Sequence, residues 1–173
     1  SADSPDPQDA QVNQYTGTPF DLRTSDRNGN LVGRTNLTRA VRVYAYDVRN
    51  QLVSSVDAAS GATIQYAYDP LGRRIQSVAN SVTNRFFYAG FQTIEEQDGS
   101  GTTTGTWSHG GQIDELLTMH LGTDEYFYHA DDLQNVHAMT TASGKVVERY
   151  EYDGFGSPTV TTADGVTRSA SVV

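Results

Sequence analysis

Polar and apolar side chains alternate along most of this chain, and Asp, Asn and Gly break the alternation at short intervals. In Thr63-Ile64-Gln65-Tyr66-Ala67-Tyr68 the large residues fall at every second position. A period of two puts them on one face of an extended strand. Leu52–Val56, Arg74–Val78, Phe91–Gln97, Thr106–Ser108, Val136–Thr140, Val146–Tyr150 and Thr159–Thr161 read the same way. Between strands lie turn formers: Asp57–Gly61, Thr141–Gly144 and Ala163-Asp164-Gly165, the last closing a hairpin onto Val166-Thr167. Asp98–Gly105, rich in Gly and Thr, reads as a loose connection. Helical spacing is confined to Ile113–Met119, where a bent strand fits as well. The spacing predicts an all-β chain of successive hairpins.

The strands come in repeats. Tyr44-Ala45-Tyr46-Asp47 and Tyr66-Ala67-Tyr68-Asp69 are offset by 66 − 44 = 22 residues. Tyr150-Glu151-Tyr152-Asp153 is a third copy, and Asp26–Leu31 is a degenerate earlier one. Tyr126-Phe127-Tyr128-His129 is divergent, with His129 in the place of the turn-forming Asp, followed by Asp131. In each unit Asp ends a strand, because its carboxylate can bond nearby backbone N–H groups. Gly72, Gly156 or Asn50 then takes φ > 0 at low cost. Asn28-Gly29 matches a two-residue type I′ turn.

Composition narrows the function classes. Tyr (10 residues) outnumbers Phe (6) and Trp (1), so packing leans on rings with a polar tip. The net charge of −9 repels phosphate backbones, which argues against a nucleic-acid partner. No apolar run is long enough to span a bilayer, so membrane insertion is not expected. The absence of cysteine excludes disulfides and thiolate chemistry. The polar segment 1–19 reads as a tail or edge segment.

Candidate chemistry is thin. His129 and Asp131 share a strand face, with His120, Asp124 and Glu125 nearby and His109 and Asp114 just before, but no zinc spacing is present. Asp26, Asn28 and Asn30 resemble the start of a calcium loop without its Gly and Glu. Ser108 and His109 are neighbours and so face opposite ways on a strand. Asn36-Leu37-Thr38 is a glycosylation sequon. No catalytic residue, metal site or cofactor is expected.

Tyr66–Ile75, YAYDPLGRRI, resembles the YD-repeat motif of Rhs and wall-associated bacterial proteins, and Tyr44–Leu52 is a looser copy. Tyr128–Pro158 is similar to the opening of the Rhs repeat-associated core segment, with Gln134 and His137 where the family carries Gly and Arg. Related repeats occur in Tc-toxin cocoon components and teneurins. The resemblance implies an antiparallel, curved sheet that forms part of a β-shell enclosing a toxin or effector. It divides the chain into segment 1–19, a repeat sheet over 20–125 and a core-like segment over 126–173. It implies a secreted or surface location in bacteria and no catalysis by the repeat. The self-cleavage motif of the family core is not in this sequence, so the chain is expected to be a fragment or processed product that does not cleave itself.

The repeat-motif residues are Tyr44, Tyr46, Asp47, Tyr66, Tyr68, Asp69, Gly72, Arg74, Tyr126, Tyr128, Asp131, Tyr150, Tyr152, Asp153 and Gly156. The expected partners are the rest of the parent shell, another copy of the chain and an enclosed effector. Two bare sheet edges would drive such association. The rival reading is a carbohydrate-binding or adhesion module, in which exposed tyrosines and Trp107 stack on a glycan.

Overall fold

The computed structural model describes residues 15–38, 40–112 and 115–171. These residues form strands joined by turns, in one antiparallel sheet whose order follows the sequence from β1 to β14. The chain divides into two compact units, residues 1–85 and 86–173. The first unit contains β1 (Asp21–Ser25), β2 (Leu31–Asn36), β3 (Val41–Tyr46), β4 (Leu52–Asp57), β5 (Thr63–Tyr68) and β6 (Arg74–Ala79). The boundary falls within β7 (Val82–Ala89). The second unit continues with β8 (Gln92–Asp98), β9 (Thr103–His109), β10 (Leu116–Leu121) and β11 (Asp124–Ala130). It ends with β12 (Val136–Thr141), β13 (Val146–Tyr152) and β14 (Pro158–Thr162).

In the first unit the period-two pattern sets the faces. Along β5, Thr63, Gln65 and Ala67 are exposed, whereas Ile64, Tyr66 and Tyr68 are half-buried. The tyrosines do not stand opposite one another. Tyr44 pairs with Ser55, which pairs with Ile64, then Ala79 and Val82. Tyr66 faces Ser77 and then Asn84. The serine across from Tyr44 and from Tyr66 leaves room for the ring to lie over the neighbouring strand, so at these positions the packing alternates large with small.

The second unit has the drier interior. Met119 and Met139 are buried, with Met119 set between Trp107 and Tyr126 in adjacent strands and Met139 between Tyr128 and Glu148. Gly105 sits on the same face of β9 as Trp107. A Cβ built there would lie 2.8 Å from the indole and 3.2 Å from Leu121. The indole therefore covers a strand position that must lack a side chain.

Several sequence expectations change. Asp98–Gly105 is not a loose connection: Asp98 makes a tight turn and β9 begins at Thr103. The segment with helical spacing enters as strand β10; its Ile113 and Asp114 lie outside the described residues. Asn28-Gly29 is not a type I′ pair. Only Gly29 has positive φ (91°), and the loop closes from Asp26 N–H to the Asn30 carbonyl, which makes it one residue longer. Of the segment 1–19, residues 1–14 lie outside the described residues.

The first and last strands are each partly paired by a neighbouring segment. Gly17 bridges Leu22 of β1, with Thr18 N–H donating to the Asp21 carbonyl and Arg23 N–H to the Thr16 carbonyl. At the other end Thr167 bridges Thr161 of β14, and Arg168 N–H donates to the Val160 carbonyl.

A Gly105→Val substitution should force the Trp107 ring off the sheet and lower the unfolding free energy by about 1–3 kcal/mol, as overpacking does. Urea denaturation followed by tryptophan fluorescence measures this, and an unchanged midpoint would show that the indole does not need the glycine.

Candidate functional site

The repeated chemistry lies at the turns. Asp47 ends β3, and its Oδ1 accepts from Arg49 N–H (2.8 Å) and Gln51 N–H (2.9 Å). Its own N–H donates to the Gln51 carbonyl, while Asn50, with φ of 60°, donates back to the Asp47 carbonyl. One carboxylate oxygen thus satisfies two backbone donors of a three-residue loop, and a left-handed residue closes it. Asp69 repeats the arrangement with Leu71, Arg73 and Gly72. Asp153 does so with Phe155, Ser157 and Gly156. Asp26 and Asp98 bond the equivalent N–H groups, followed by Gly29 and Gly101. Each loop is preceded or followed by a register shift in most of these hairpins, as between Ala45 and Tyr46 or Ala67 and Tyr68. The shift turns the strand into the loop without flipping its faces.

The divergent copy obeys the same rule at a different place. His129 is not the turn residue; it lies in β11, and its Nε2 meets Thr140 Oγ1 at 2.9 Å. Asp131 makes the turn, through Leu133 N–H and Asn135 N–H, with Gln134 at φ of 65°. The register shift falls between His129 and Ala130, and Ala130 pairs with Val136 as Tyr46 pairs with Leu52. Tyr128 and Ala130 therefore hold the places of Tyr44 and Tyr46, and Tyr126 lies one strand step earlier. The interval from Asp131 to Asp153 is then 153 − 131 = 22 residues, equal to that from Asp47 to Asp69.

A second bond locks one repeat to the one before. The Tyr68 hydroxyl donates to the Leu52 carbonyl (2.8 Å), and the Tyr152 hydroxyl to the Val136 carbonyl (2.9 Å). Both acceptors are the first strand residue after the preceding Asp turn. The turns are also stitched side to side: Arg49 Nη1 donates to the Pro70 carbonyl and Asn30 Nδ2 to Asn50 Oδ1. Arg74 lies 5.5 Å from the centre of the Tyr66 ring, within cation–π range. His137 meets Tyr152 edge-on and bonds Asp131 Oδ2 at 3.1 Å.

The residues weighed for metal or nucleophilic chemistry are dispersed. His129 meets Thr140, His120 meets Glu125 at 3.3 Å, and His109 Nε2 meets the Thr93 carbonyl at 2.8 Å. Asp114 lies outside the described residues. Among the described residues no three His, Asp or Glu converge. The Asp26 carboxylate is spent on its own turn, accepting from Asn28 N–H, Asn30 N–H and Asn30 Nδ2, and Asn36 of the sequon likewise accepts from Thr38 and Ala40 N–H.

Two buried carboxylates escaped sequence reasoning. Asp21 accepts from the Thr18 hydroxyl, Arg23 Nε and Arg34 Nε. Glu148, with no exposed surface, accepts from the hydroxyls of Tyr150 (2.8 Å) and Ser171 (2.6 Å) and from Arg168 (3.1 Å). The only sequence sign was spacing: Arg23 is two residues from Asp21 and Tyr150 two from Glu148, so each pair shares a face. The Thr18 hydroxyl, followed by the Arg23 and Arg34 guanidiniums, holds Asp21 down at about 2. The N–H groups of Ser157 and Phe155 lower Asp153, and the Ser100 hydroxyl lowers Asp98. Burial, with Glu148 beside it, pushes the Tyr150 hydroxyl up to about 12.

Asp21, Asp98 and Asp153 bind protons less readily folded than unfolded, so their stabilisation is present above the ordinary carboxylate range and lost below it. The urea midpoint should hold from neutral pH down to near the ordinary value of 3.8, then fall as pH approaches about 2, where Asp21 is protonated even when folded. A midpoint that rises on acidification through this window would contradict the turn chemistry.

The comparisons with known proteins agree with this geometry. The family model for the RHS Repeat matches residues 46–81 and 130–167. Its two stretches begin at Tyr46 and Ala130, the positions that strand register makes equivalent. The tRNA3(Ser)-specific nuclease WapA of Bacillus spizizenii is 29% identical over 155 residues, which cover 88% of this chain and 6% of that protein. Teneurin-3 of Danio rerio is 30% identical over 127 residues, covering 68% of this chain and 5% of that one. The chain thus spans only a small part of the curated relatives it matches. Among solved structures, that of TcdB2-TccC3-Cdc42 superposes with a TM-score of 0.54 at 14% identity, covering 95% of this chain and 10% of that one. The Photorhabdus luminescens Tc holotoxin pore gives 0.55 at 15% identity over the same shares. At such identity these structures speak for the fold alone. The RHS Repeat matches and the recurring Tyr-x-Tyr-Asp turns identify the chain as an Rhs/YD-repeat protein.

Proposed function

We propose that this chain is a structural section of a YD-repeat shell, secreted or held at the bacterial surface, that encloses or displays a toxin or effector region of its parent protein. Within this reading residues 20–125 belong to the repeat sheet, residues 126–173 open the core-like segment, and the repeat-motif residues act as scaffold. The observation that carries it is the repeated lock. The recurring Asp binds backbone N–H groups, and the recurring second Tyr binds a backbone carbonyl of the preceding repeat. Side chains spent on backbone register are not free to act on a substrate. The nuclease named in the WapA relatives is a property of those whole proteins, of which this chain matches 6%.

The same lock weighs against the adhesion reading. Tyr44, Tyr46, Tyr66, Tyr68, Tyr126, Tyr128 and Tyr150 are half-buried, and Tyr152, the most exposed at 40%, has its hydroxyl bonded and its ring against His137. A sugar needs an open ring face to stack on.

The test is limited proteolysis of the full-length parent protein, native and with Asp69→Ala and Asp153→Ala. The enclosed region should resist trypsin in the native protein and become sensitive in the double variant. Equal cleavage rates in both, matching those of the isolated region, would refute enclosure. The isolated chain should leave tRNA intact in the same assays; cleavage that co-purifies with it would refute a purely structural role.

A further inference from the structure

We infer that Arg23, Arg34 and Arg42 form an anion-binding site on the first unit, and that its ligand is a small molecule carrying a phosphate group. Register places the three in one line: Arg23 pairs with Arg34, and Arg34 with Arg42, across β1, β2 and β3. Adjacent strands lie about 4.8 Å apart, so three guanidiniums share one face at short range. Like charges directly opposite one another are destabilising, and here two such pairs follow in succession. The surrounding charge is of the same sign. Residues 15–85 hold nine Arg, five Asp and neither Lys nor Glu, a balance of 9 − 5 = +4, whereas residues 86–173 come to 3 − 13 = −10. The exclusive use of Arg suits oxyanion recognition, because the planar guanidinium offers paired donors where Lys offers a point charge.

Two carboxylates position the line without neutralising it. Asp21, 3% exposed, accepts from Arg23 Nε at 2.9 Å and from Arg34 Nε, and the Thr18 hydroxyl fixes it in turn. Asp57 gives Oδ1 to the N–H groups of Ala59 and Ser60, and its Oδ2 lies 3.7 Å from Arg42 Nε. In all three arginines the carboxylate meets the Nε side. Among the described residues Arg42 makes no hydrogen bond, and both Nη groups of Arg34 are unbonded. The three side chains are 40%, 44% and 58% exposed, so a ligand can reach these donors. Two negative charges against three positive leave one unbalanced. Guanidiniums already held by a buried carboxylate lose little freedom on binding, which favours affinity. A carboxylate ligand has two coplanar oxygens and matches one guanidinium, whereas the tetrahedral oxygens of phosphate can accept from neighbouring guanidiniums together. A surplus of one charge suits a single phosphate group, and the acidic residues of 86–173 repel an extended polyanion. Asp21 is thus a positioning residue for this site, a role that the repeat lock does not give it. The site does not depend on the shell reading.

The experiment is a titration of the whole chain with inorganic phosphate at neutral pH, with sodium chloride holding the ionic strength constant, followed by nuclear magnetic resonance of the arginine Nε–H groups. The signals of Arg23, Arg34 and Arg42 should shift together and saturate, with half the effect at about 1 mM or below. Arg42→Gln should weaken binding about tenfold, the effect of losing a charge-assisted bond. Arg42→Lys keeps the charge, loses the fork and should weaken binding as well. Both variants should keep the native urea midpoint. Arg85→Gln, on the opposite face, should bind as the unaltered chain does. Vesicles of phosphatidylcholine with phosphatidic acid should not sediment the chain. The proposal is overturned if the three signals do not saturate, or if either Arg42 variant binds as tightly as the unaltered chain. Equal loss in Arg85→Gln would overturn it, because net charge alone would then explain the binding. A lowered midpoint in the Arg42 variants would overturn it too, since Arg42 would then hold the fold rather than a ligand. Binding to vesicles without binding to free phosphate would assign the arginines to a membrane surface and likewise overturn it.

Discussion

The bond on which the structure depends is that of an aspartate carboxylate to the backbone N–H groups two and four residues ahead. A hairpin loop leaves such donors without strand partners, and an unsatisfied donor is expensive. The carboxylate satisfies two of them with one oxygen and fixes the loop at three residues. Loop length then fixes register, and register decides which face each side chain occupies. Because the loop length is constant, Tyr44, Tyr66, Tyr128 and Tyr150 reach equivalent places although the sequences around them differ. The bond tolerates chemical substitutes: Asn36 accepts from Thr38 and Ala40 with the same geometry, and Thr162 offers a hydroxyl to Val166 N–H. At the Asp turns the fourth place has positive φ: Gly fills it at most of them, Asn50 and Gln134 at two.

The tyrosine hydroxyl extends this local rule across strands. A turn alone defines one hairpin and says nothing about the next. The reach from Tyr68 to the Leu52 carbonyl, and from Tyr152 to Val136, joins the end of one hairpin to the start of the previous one. Local contacts of this kind propagate along the chain, as in other repeat architectures. They also explain why so few aliphatic residues suffice: where Tyr provides both area and a bonded tip, a deep apolar core is less needed.

Much of this was legible in the sequence because it rests on periodicity and on turn chemistry. The strands around Tyr44 to Val78 follow from alternation, and Asp47, Asp69 and Asp153 from their place at the strand ends. The divergent repeat was misread. Tyr126-Phe127-Tyr128 looks like the motif, yet register assigns the motif to Tyr128 and Ala130, where Ala has replaced the second Tyr. Asp98 was lost among Gly and Thr, although its turn is the same. The bonds of Asp21 to Arg34 and of Glu148 to Arg168 and Ser171 join residues distant in sequence, and only the strand order brings them together.

The claim that a carboxyl oxygen, rather than its charge, sets the turn is tested most directly at Asp153, whose carboxylate bonds the N–H groups of Phe155 and Ser157. The measurement is a comparison of Asp153→Asn with Asp153→Ala by amide exchange at Phe155 and Ser157 at neutral pH. Asn keeps the accepting oxygen, as Asn36 does, and should leave both amides protected, while Ala should expose both and loosen β14. Equal protection in the two variants would show that the turn holds without its side-chain oxygen, and the account would fail at its base.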